Sequence, residues 1–325
     1  MDGQHLLNIR NNATMSTPRT SKPTVFLVAP TDSVAAARTQ VADLLGKLLE
    51  AECPAPHTAP DLAATAWTLT HDDAVAVAHD RLREWVAKES EAGAAGTTGA
   101  ECAWAAWTSA EMAAWNAPAG AIVTDVDSTL IEQEVIEMLA AHVGLEDQVA
   151  AVTERAMRGE LDFEQSLRER VAVLKGLSAA VIEDVAGKTT PTAGAEKLID
   201  AAHQRGWKVY AVSGGFQQIL DPLAERLGLD GAVANHLEIT DGALTGRVTG
   251  AVIDRQAKAT HRAQWTSDNQ IPSLGLGDGA NDIDLLTTAT GGLGLQPKPA
   301  LRAVASGTLS LRRLDAVAAL LGWDL

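Results

Sequence analysis

Cysteine is nearly absent. Cys53 and Cys102 are the two in 325 residues, too few for a disulfide framework or a thiolate metal site, and both read as ordinary thiols. No apolar run reaches the roughly 18 residues that a membrane helix needs, and no early stretch has the make-up of a secretory signal. Basic residues are scarce: 26 Lys and Arg stand against 42 Asp and Glu, a net charge of −16. That balance repels nucleic-acid phosphates and anionic membranes, so neither is expected as a partner. The eight histidines fall at no metal-ligand spacing. What is left is a globular and, by this reading, cytoplasmic composition, 46% hydrophobic and 21% charged, with length for two domains. A small anionic substrate would need a local cation or metal to enter so acidic a protein.

Residues 1–22 are polar and aperiodic and read as a disordered tail, with Met15 as an alternative start. From Thr24 the pattern changes. A β-prone run, Thr24–Ala29, precedes a helix opened by Asp32 or Ser33 that carries Val41, Leu44, Leu45, Leu48 and Leu49 on one face. A second β-prone run covers 66–70. A second helix carries Ala74, Ala78, Leu82, Trp85 and Val86, residues 91–100 form a loop, and 102–107 make a third strand. This is a small α/β domain, placed at 23–115. Five of the eight tryptophans lie between 67 and 115, where they fill its core or its contact with the next domain.

The remaining 116–325 alternate strand and helix. Ala121–Asp125, Lys208–Ser213, Leu274–Gly277 and Gly291–Leu295 read as strands, with helices near 192–206, 216–228, 255–269 and 281–289. Such alternation predicts a parallel sheet with helices on both faces, with ligands bound beyond the carboxyl ends of its strands. About 75 residues separate the first two strands, too many for one crossover. They read as four helices, near 131–143, 146–158, 162–175 and 178–187: a helical cap, assigned 132–189, inserted into a core of 116–131 and 190–325. Asp241-Gly242, inside an alternating stretch, signals a hairpin.

Polar residues cluster at the strand ends. Asp125-Val-Asp127 leaves the first strand, Ser213-Gly214-Gly215 the second, and Gly277-Asp278-Gly279-Ala280-Asn281-Asp282 the third. An EF-hand reading of 125–136 fails, because Leu130 and Ile136 stand where Gly and Glu are required. A dinucleotide fingerprint at 275–280 fails too, since no acid occurs from 285 to 314. Hard oxygen ligands of this kind suit Mg²⁺. Backbone N–H groups after Ser213 suit phosphate, and Lys258 adds a cation. A carboxylate nucleophile can form an aspartyl-phosphate, with a second carboxylate as acid and then base.

Asp125-Val-Asp127-Ser-Thr129, Ser213-Gly214, Lys258 and Gly277 through Asp282 resemble, in order, the four motifs of the haloacid dehalogenase superfamily. Glu134, the stretch Val152–Gly159, the stretch Leu161–Arg170 and Val212–Phe216 resemble its phosphoserine phosphatase family. The similarity runs from about 120 to 305; it departs from the usual pattern at Val126 and after Lys258. The resemblance implies a Mg²⁺-dependent hydrolysis of O-phospho-L-serine, the closing step of serine biosynthesis. It implies Asp125 as nucleophile and Asp127 as acid–base. It implies Mg²⁺ on Asp125, Asp278 and the carbonyl of Asp127, supported by Asp282. Ser213, Gly214 and Lys258 hold the phosphoryl group, and Asn281 orients nucleophile or phosphate. Arg170 takes the substrate carboxylate, Glu134 its ammonium, and Met157 and Phe163 exclude water. Some relatives carry an amino-acid-binding ACT domain of order β-α-β-β-α-β at the N-terminus. Residues 24–107 match it in part, which suggests homodimerisation or serine sensing as its role. The competing readings are another capped phosphomonoesterase or phosphotransferase, and a non-catalytic amino-acid-binding regulator.

Overall fold

The computed structural model describes residues 22–91, 101–157 and 160–325, with the side chains of 89–91 and 156–157 outside that description. The expected tail, most of the 91–100 loop, the side chain of Met157 and the Arg158-Gly159 part of the cap motif therefore lie outside the described residues. Within them, no helix is long and apolar enough to cross a membrane.

Among the described residues, the strands form one sheet of eleven. In chain order the strands are β1 (Thr24–Pro30), β2 (Leu49–Cys53), β3 (Leu62–Leu69), β4 (Ala103–Trp107), β5 (Ala121–Thr124), β6 (Lys208–Phe216), β7 (Gly231–Thr240), β8 (Ala243–Thr249), β9 (Ser273–Gly277), β10 (Gly291–Leu295) and β11 (Gly307–Leu309). Their spatial order is β2-β3-β1-β4-β11-β10-β9-β5-β6-β7-β8. From β11 to β7 every neighbouring pair is parallel. The N-terminal strands pair antiparallel, as do β4 with β11 and β7 with β8. The parallel part is the α/β core expected from the alternation. Its central strands are short and almost wholly apolar, as strands covered on both faces must be.

The N-terminal elements run β-α-β-β-α-β, with helices at Val34–Leu45 and Asp73–Glu91. This is one strand more than the three expected. The first helix stops at Leu45 because Gly46 turns left-handed (φ 49°), so Leu48 leaves the helical face and Leu49 opens β2. The module is joined to the core by more than the β4–β11 ladder. Trp107, Trp115, Trp207 and Trp323 form a chain of ring contacts with centroids 5.0, 6.0 and 5.0 Å apart. Trp107 Nε1 donates to Leu320 O at 2.6 Å and Trp323 Nε1 to Trp115 O at 2.9 Å. Two of the five clustered tryptophans thus sit at the contact with the core, while Trp67 and Trp104 lie in the module's own cluster.

The cap helices are Val135–His142, Glu146–Met157, Phe163–Val173 and Ala180–Ala186. The third begins where Asp162 and Gln165 cap one another reciprocally: Gln165 N donates to Asp162 Oδ1 at 2.8 Å and Asp162 N to Gln165 Oε1 at 3.1 Å. The first begins four residues later than expected, because the chain leaving β5 first makes a wide turn through Ser128, a left-handed residue (φ 56°). The hairpin turn is Asp241-Gly242, with φ 50° and 77°; two left-handed residues are what a two-residue loop of matching twist requires.

Candidate active site

The carboxyl ends of β5, β6, β9 and β10 and two cap helices, Val135–His142 and Phe163–Val173, enclose a cavity of about 300 Å³. Asp125, Asp127, Asp278 and Asn281 line its floor side, while Glu134, Phe163 and Arg170 line it from the cap. Gly214 and Gly215 complete it from β6.

Asp125, Asp278 and Asp282 are all buried and offer carboxylate oxygens within 4.8 Å of one another. Three hard oxygen donors at this spacing fit a small divalent cation such as Mg²⁺. Lys258 is fully buried behind them, with Nζ 2.7 Å from Asp125 Oδ1 and 2.7 Å from Asp282 Oδ1. Burial alone would lower the lysine's pKa, but the two carboxylates outweigh it and hold the ammonium charged above its usual range. Burial, and then repulsion from Asp282, push the Asp125 carboxyl well above its usual range. The cluster thus has more negative charge than its one buried lysine balances, and it has a place for a proton or a cation. Asp282 is spent on organisation. Its Oδ2 accepts from the backbone N–H of Asp278 at 3.2 Å and of Gly279 at 3.0 Å, which closes the loop after β9.

Asp127 stands apart from this trio. Its Oδ1 accepts from Val135 N at 2.7 Å and its Oδ2 from Ser213 Oγ at 3.1 Å. Burial raises its pKa, opposed by these two bonds. Ser213 Oγ in turn accepts from Gly215 N at 2.8 Å. The structure therefore uses the Ser213 hydroxyl to hold Asp127, and it is the two glycines that face the cavity. A side chain would crowd both positions, 215 more than 214. A Cβ at 214 would lie 3.0 Å from the ring of Phe163, and one at 215 would lie 2.6 Å from Asp127 Oδ2. The Phe163 ring of the cap thus lies directly over Gly214.

On the cap side Ser128 Oγ donates to Glu134 Oε1 at 2.8 Å. Burial, and then the charge of Asp127, lift the Glu134 carboxyl to about 7. Arg170 Nε donates to Ser166 O at 3.3 Å. Its pKa is lowered by burial, against the attraction of Glu134, Asp127 and Glu137. An anionic and a cationic group from the cap thus face a pair of aspartates from the core, an arrangement suited to a phosphomonoester that carries both an ammonium and a carboxylate.

Of the residues expected from sequence, Asp125, Asp127, Glu134, Phe163, Arg170, Gly214, Asp278 and Asn281 meet in this cavity. Ser213, Lys258 and Asp282 lie directly behind it. Two contributors were not read from the sequence. Lys298 lines the cavity with Nζ 3.0 Å from Asp278 Oδ2. Its signal was its place just past the end of the strand Gly291–Leu295. Asn235, 1% exposed, donates Nδ2 to Gly214 O at 2.9 Å and accepts at Oδ1 from Ile253 N at 2.8 Å. It ties the glycine loop to the chain that enters the Lys258 helix (Arg255–Trp265). A lone Asn in a strand carries no signal of that role.

A family model described as haloacid dehalogenase-like hydrolase matches residues 122–287. A phosphoserine phosphatase of Streptomyces coelicolor is 50% identical over 204 residues, which are 62% of this chain and 50% of that protein. One of Lactococcus lactis is 44% identical over 198 residues, 60% of this chain and 92% of that protein. Among solved structures, a haloacid dehalogenase family hydrolase of Salmonella enterica superposes with a TM-score of 0.78 at 23% identity, covering 93% of this chain and 99% of that one. That likeness includes the N-terminal module and concerns the fold. The chain spans half the length of the Streptomyces relative.

Proposed function

This chain belongs to the haloacid dehalogenase-like hydrolase family, and from that premise we propose that it is a Mg²⁺-dependent phosphatase that converts O-phospho-L-serine and water to L-serine and phosphate. The observation that carries the reading is one cavity shared by Asp125, Asp127, Glu134 and Arg170. The two aspartates supply the chemistry, and the two cap residues complement the ammonium and carboxylate of an amino acid. The names of the Streptomyces and Lactococcus relatives support the substrate.

In this reading an Asp125 oxygen forms a bond to phosphorus while the bond from phosphorus to the serine oxygen breaks. The departing oxygen takes the proton of Asp127. Asp127, now a carboxylate, takes a proton from water as the water oxygen attacks phosphorus. The Asp125–phosphorus bond breaks, which restores the aspartate and releases phosphate. Asp125, Asp278 and the carbonyl of Asp127 would hold Mg²⁺, with Asp282 in support. Once bound, the ion supplies positive charge against the phosphoryl oxygens. Lys258 adds its charge from behind Asp125. Gly214, Gly215 and Asn281 supply polar groups to the phosphoryl end, and Phe163 closes the cap side. The N-terminal module at 23–115, the cap at 132–189, a homodimer and a cytoplasmic location belong to the same reading.

The test is phosphate release by the full chain from a panel of phosphomonoesters, with Mg²⁺ and with EDTA. O-phospho-L-serine is expected to be the preferred substrate, and EDTA to stop its turnover. Preference for a sugar phosphate would replace the substrate while leaving the phosphatase standing. Serine binding without turnover of any ester would favour the regulator.

The acidity of Glu134 sets a pH signature. Its carboxylate, the form that attracts an ammonium, prevails above about 7 and is lost as pH falls. KM for O-phospho-L-serine is expected to rise about tenfold from pH 8 to pH 6. The analogue with hydrogen in place of the ammonium shares the phosphate titration but lacks this partner, so its KM should follow a flatter course. Equal pH profiles for the two substrates would remove Glu134 from ammonium recognition.

A further inference from the structure

Two lysines divide the carboxylate trio between them. Lys258 takes Asp125 and Asp282 from the sealed side and has no exposed surface. Lys298 takes Asp278 from the open side, with its side chain 63% exposed. The difference in mobility follows. The Lys258 ammonium is enclosed by its two carboxylates, whereas Lys298 carries its charge on a flexible four-carbon stem at the cavity rim.

The backbone beneath Lys298 is fixed. Proline stands on both sides of it, at 297 and 299. The preceding Gln296 is held left-handed (φ 42°), with its N–H on Leu309 O at 2.7 Å. Lys298 N donates to Asp278 O at 2.8 Å. Pro297 packs against Gly294 so closely that a Cβ there would lie 2.7 Å from the proline ring. A rigid segment therefore presents one swinging cation to a metal-binding carboxylate. The charged groups that act on this ammonium are Asp278 first, then Glu134 and Asp282, all of them in or directly behind the cavity. Any divalent cation that uses Asp278 must share that carboxylate with the ammonium, and like charges at such separations repel.

We propose that Lys298 is an exchangeable site cation. It balances Asp278 before the metal binds, and metal loading turns its ammonium toward the phosphoryl oxygens of the substrate. The proposal rests on the reading of Asp125, Asp278 and Asp282 as the metal site. It predicts opposite effects of one substitution on two ligands, which a merely structural residue would not produce.

The experiment is titration calorimetry of Mg²⁺ into the full-length protein and its Lys298→Met variant, together with inhibition by inorganic phosphate and the KM for O-phospho-L-serine. In Lys298→Met, the Mg²⁺ dissociation constant is expected to fall about three- to fivefold. The phosphate inhibition constant and KM should rise by about the same factor, the scale of one exposed charge pair. Lys298→Arg should restore both within about twofold. The phosphate effect should shrink at high ionic strength. If Lys298→Met weakens metal and phosphate together, Lys298 is a prop for the Asp278 loop and the proposal is overturned. If neither moves, the ion pair is incidental. If the unaltered protein binds no Mg²⁺, the metal-site reading fails, and that result is distinct from either of the others.

Discussion

Asp125→Asn is expected to lower kcat for O-phospho-L-serine by ~10⁴-fold or more, the range seen when a covalent nucleophile is removed, without loss of fold. The geometry dictates how the amide would sit. Among the described residues, Asp125 Oδ1 accepts from Val126 N at 2.8 Å and meets Lys258 Nζ at 2.7 Å. Both partners are donors, so the Asn carbonyl oxygen must take the Oδ1 position. Its NH₂ then stands where Oδ2 stood, and a planar amide nitrogen has no lone pair to offer phosphorus. The stability expectation has the other sign. Asp125 is buried and repelled by Asp282, and its carboxyl is pushed well above the usual range. A neutral isostere removes that strain, so the melting temperature should hold or rise near pH 7. The checks are steady-state phosphate release, a thermal melt, and detection of phosphorylated protein after acid quench in the unaltered enzyme alone. A variant within tenfold of normal kcat would end the role of Asp125 as nucleophile, whatever its fold.

The cavity was legible in the sequence because it sits where chain pattern and sheet edge coincide. An apolar strand that ends abruptly in acid, as Ala121–Thr124 does before Asp125, marks the carboxyl edge of a parallel sheet. Three such edges brought Asp125, Gly214 and Asp278 into one cavity. The Asp241-Gly242 turn was legible for a backbone reason, since few residue pairs accept φ values of 50° and 77°. What escaped was set by tertiary contact. β2, Leu-Glu-Ala-Glu-Cys, alternates apolar and polar residues but is half-exposed or exposed at every position, and its Leu49 also continues the helical spacing of Val41, Leu44, Leu45 and Leu48, so the helix reading absorbed its start. β11 has three residues and owes its existence to neighbours on both sides, β10 and β4. The β4–β11 pairing makes one sheet of what read as two separate units, and no local pattern announces it. The resemblance gives Ser213 to the phosphoryl group; what it does not announce is that the hydroxyl donates to Asp127 and that the loop is held by Asn235, 21 positions beyond Gly214. Motifs identify which residues gather; the hydrogen-bond partners decide which of them face the cavity.

Lys258→Met tests the other extreme, where one substitution should cost both fold and function. The ammonium is wholly buried and touches Asp125 and Asp282 at 2.7 Å each. Replacing it with an apolar chain of similar length leaves two buried carboxylates facing each other unpaired, a loss of ~3–5 kcal/mol on the scale of broken buried ion pairs. Asp282 also holds the N–H groups of Asp278 and Gly279, so its displacement would open the loop that carries Asp278. The pH dependence follows from the sign of the shift. Without the lysine, the folded-state pKa of the Asp125 carboxyl rises further above its unfolded value. The native state then binds more protons than the unfolded one, and stability falls as pH rises. The deficit should be largest near neutrality and shrink toward acid, where the carboxyls are protonated in both states. Mg²⁺ should restore more stability to this variant than to the unaltered protein, because a divalent ion replaces the missing charge. Urea midpoints at pH 5 and 7.5, with and without Mg²⁺, measure all three. Equal midpoints for the two proteins at pH 7.5 would mean that the trio tolerates its own repulsion, and that Lys258 is not what holds it together.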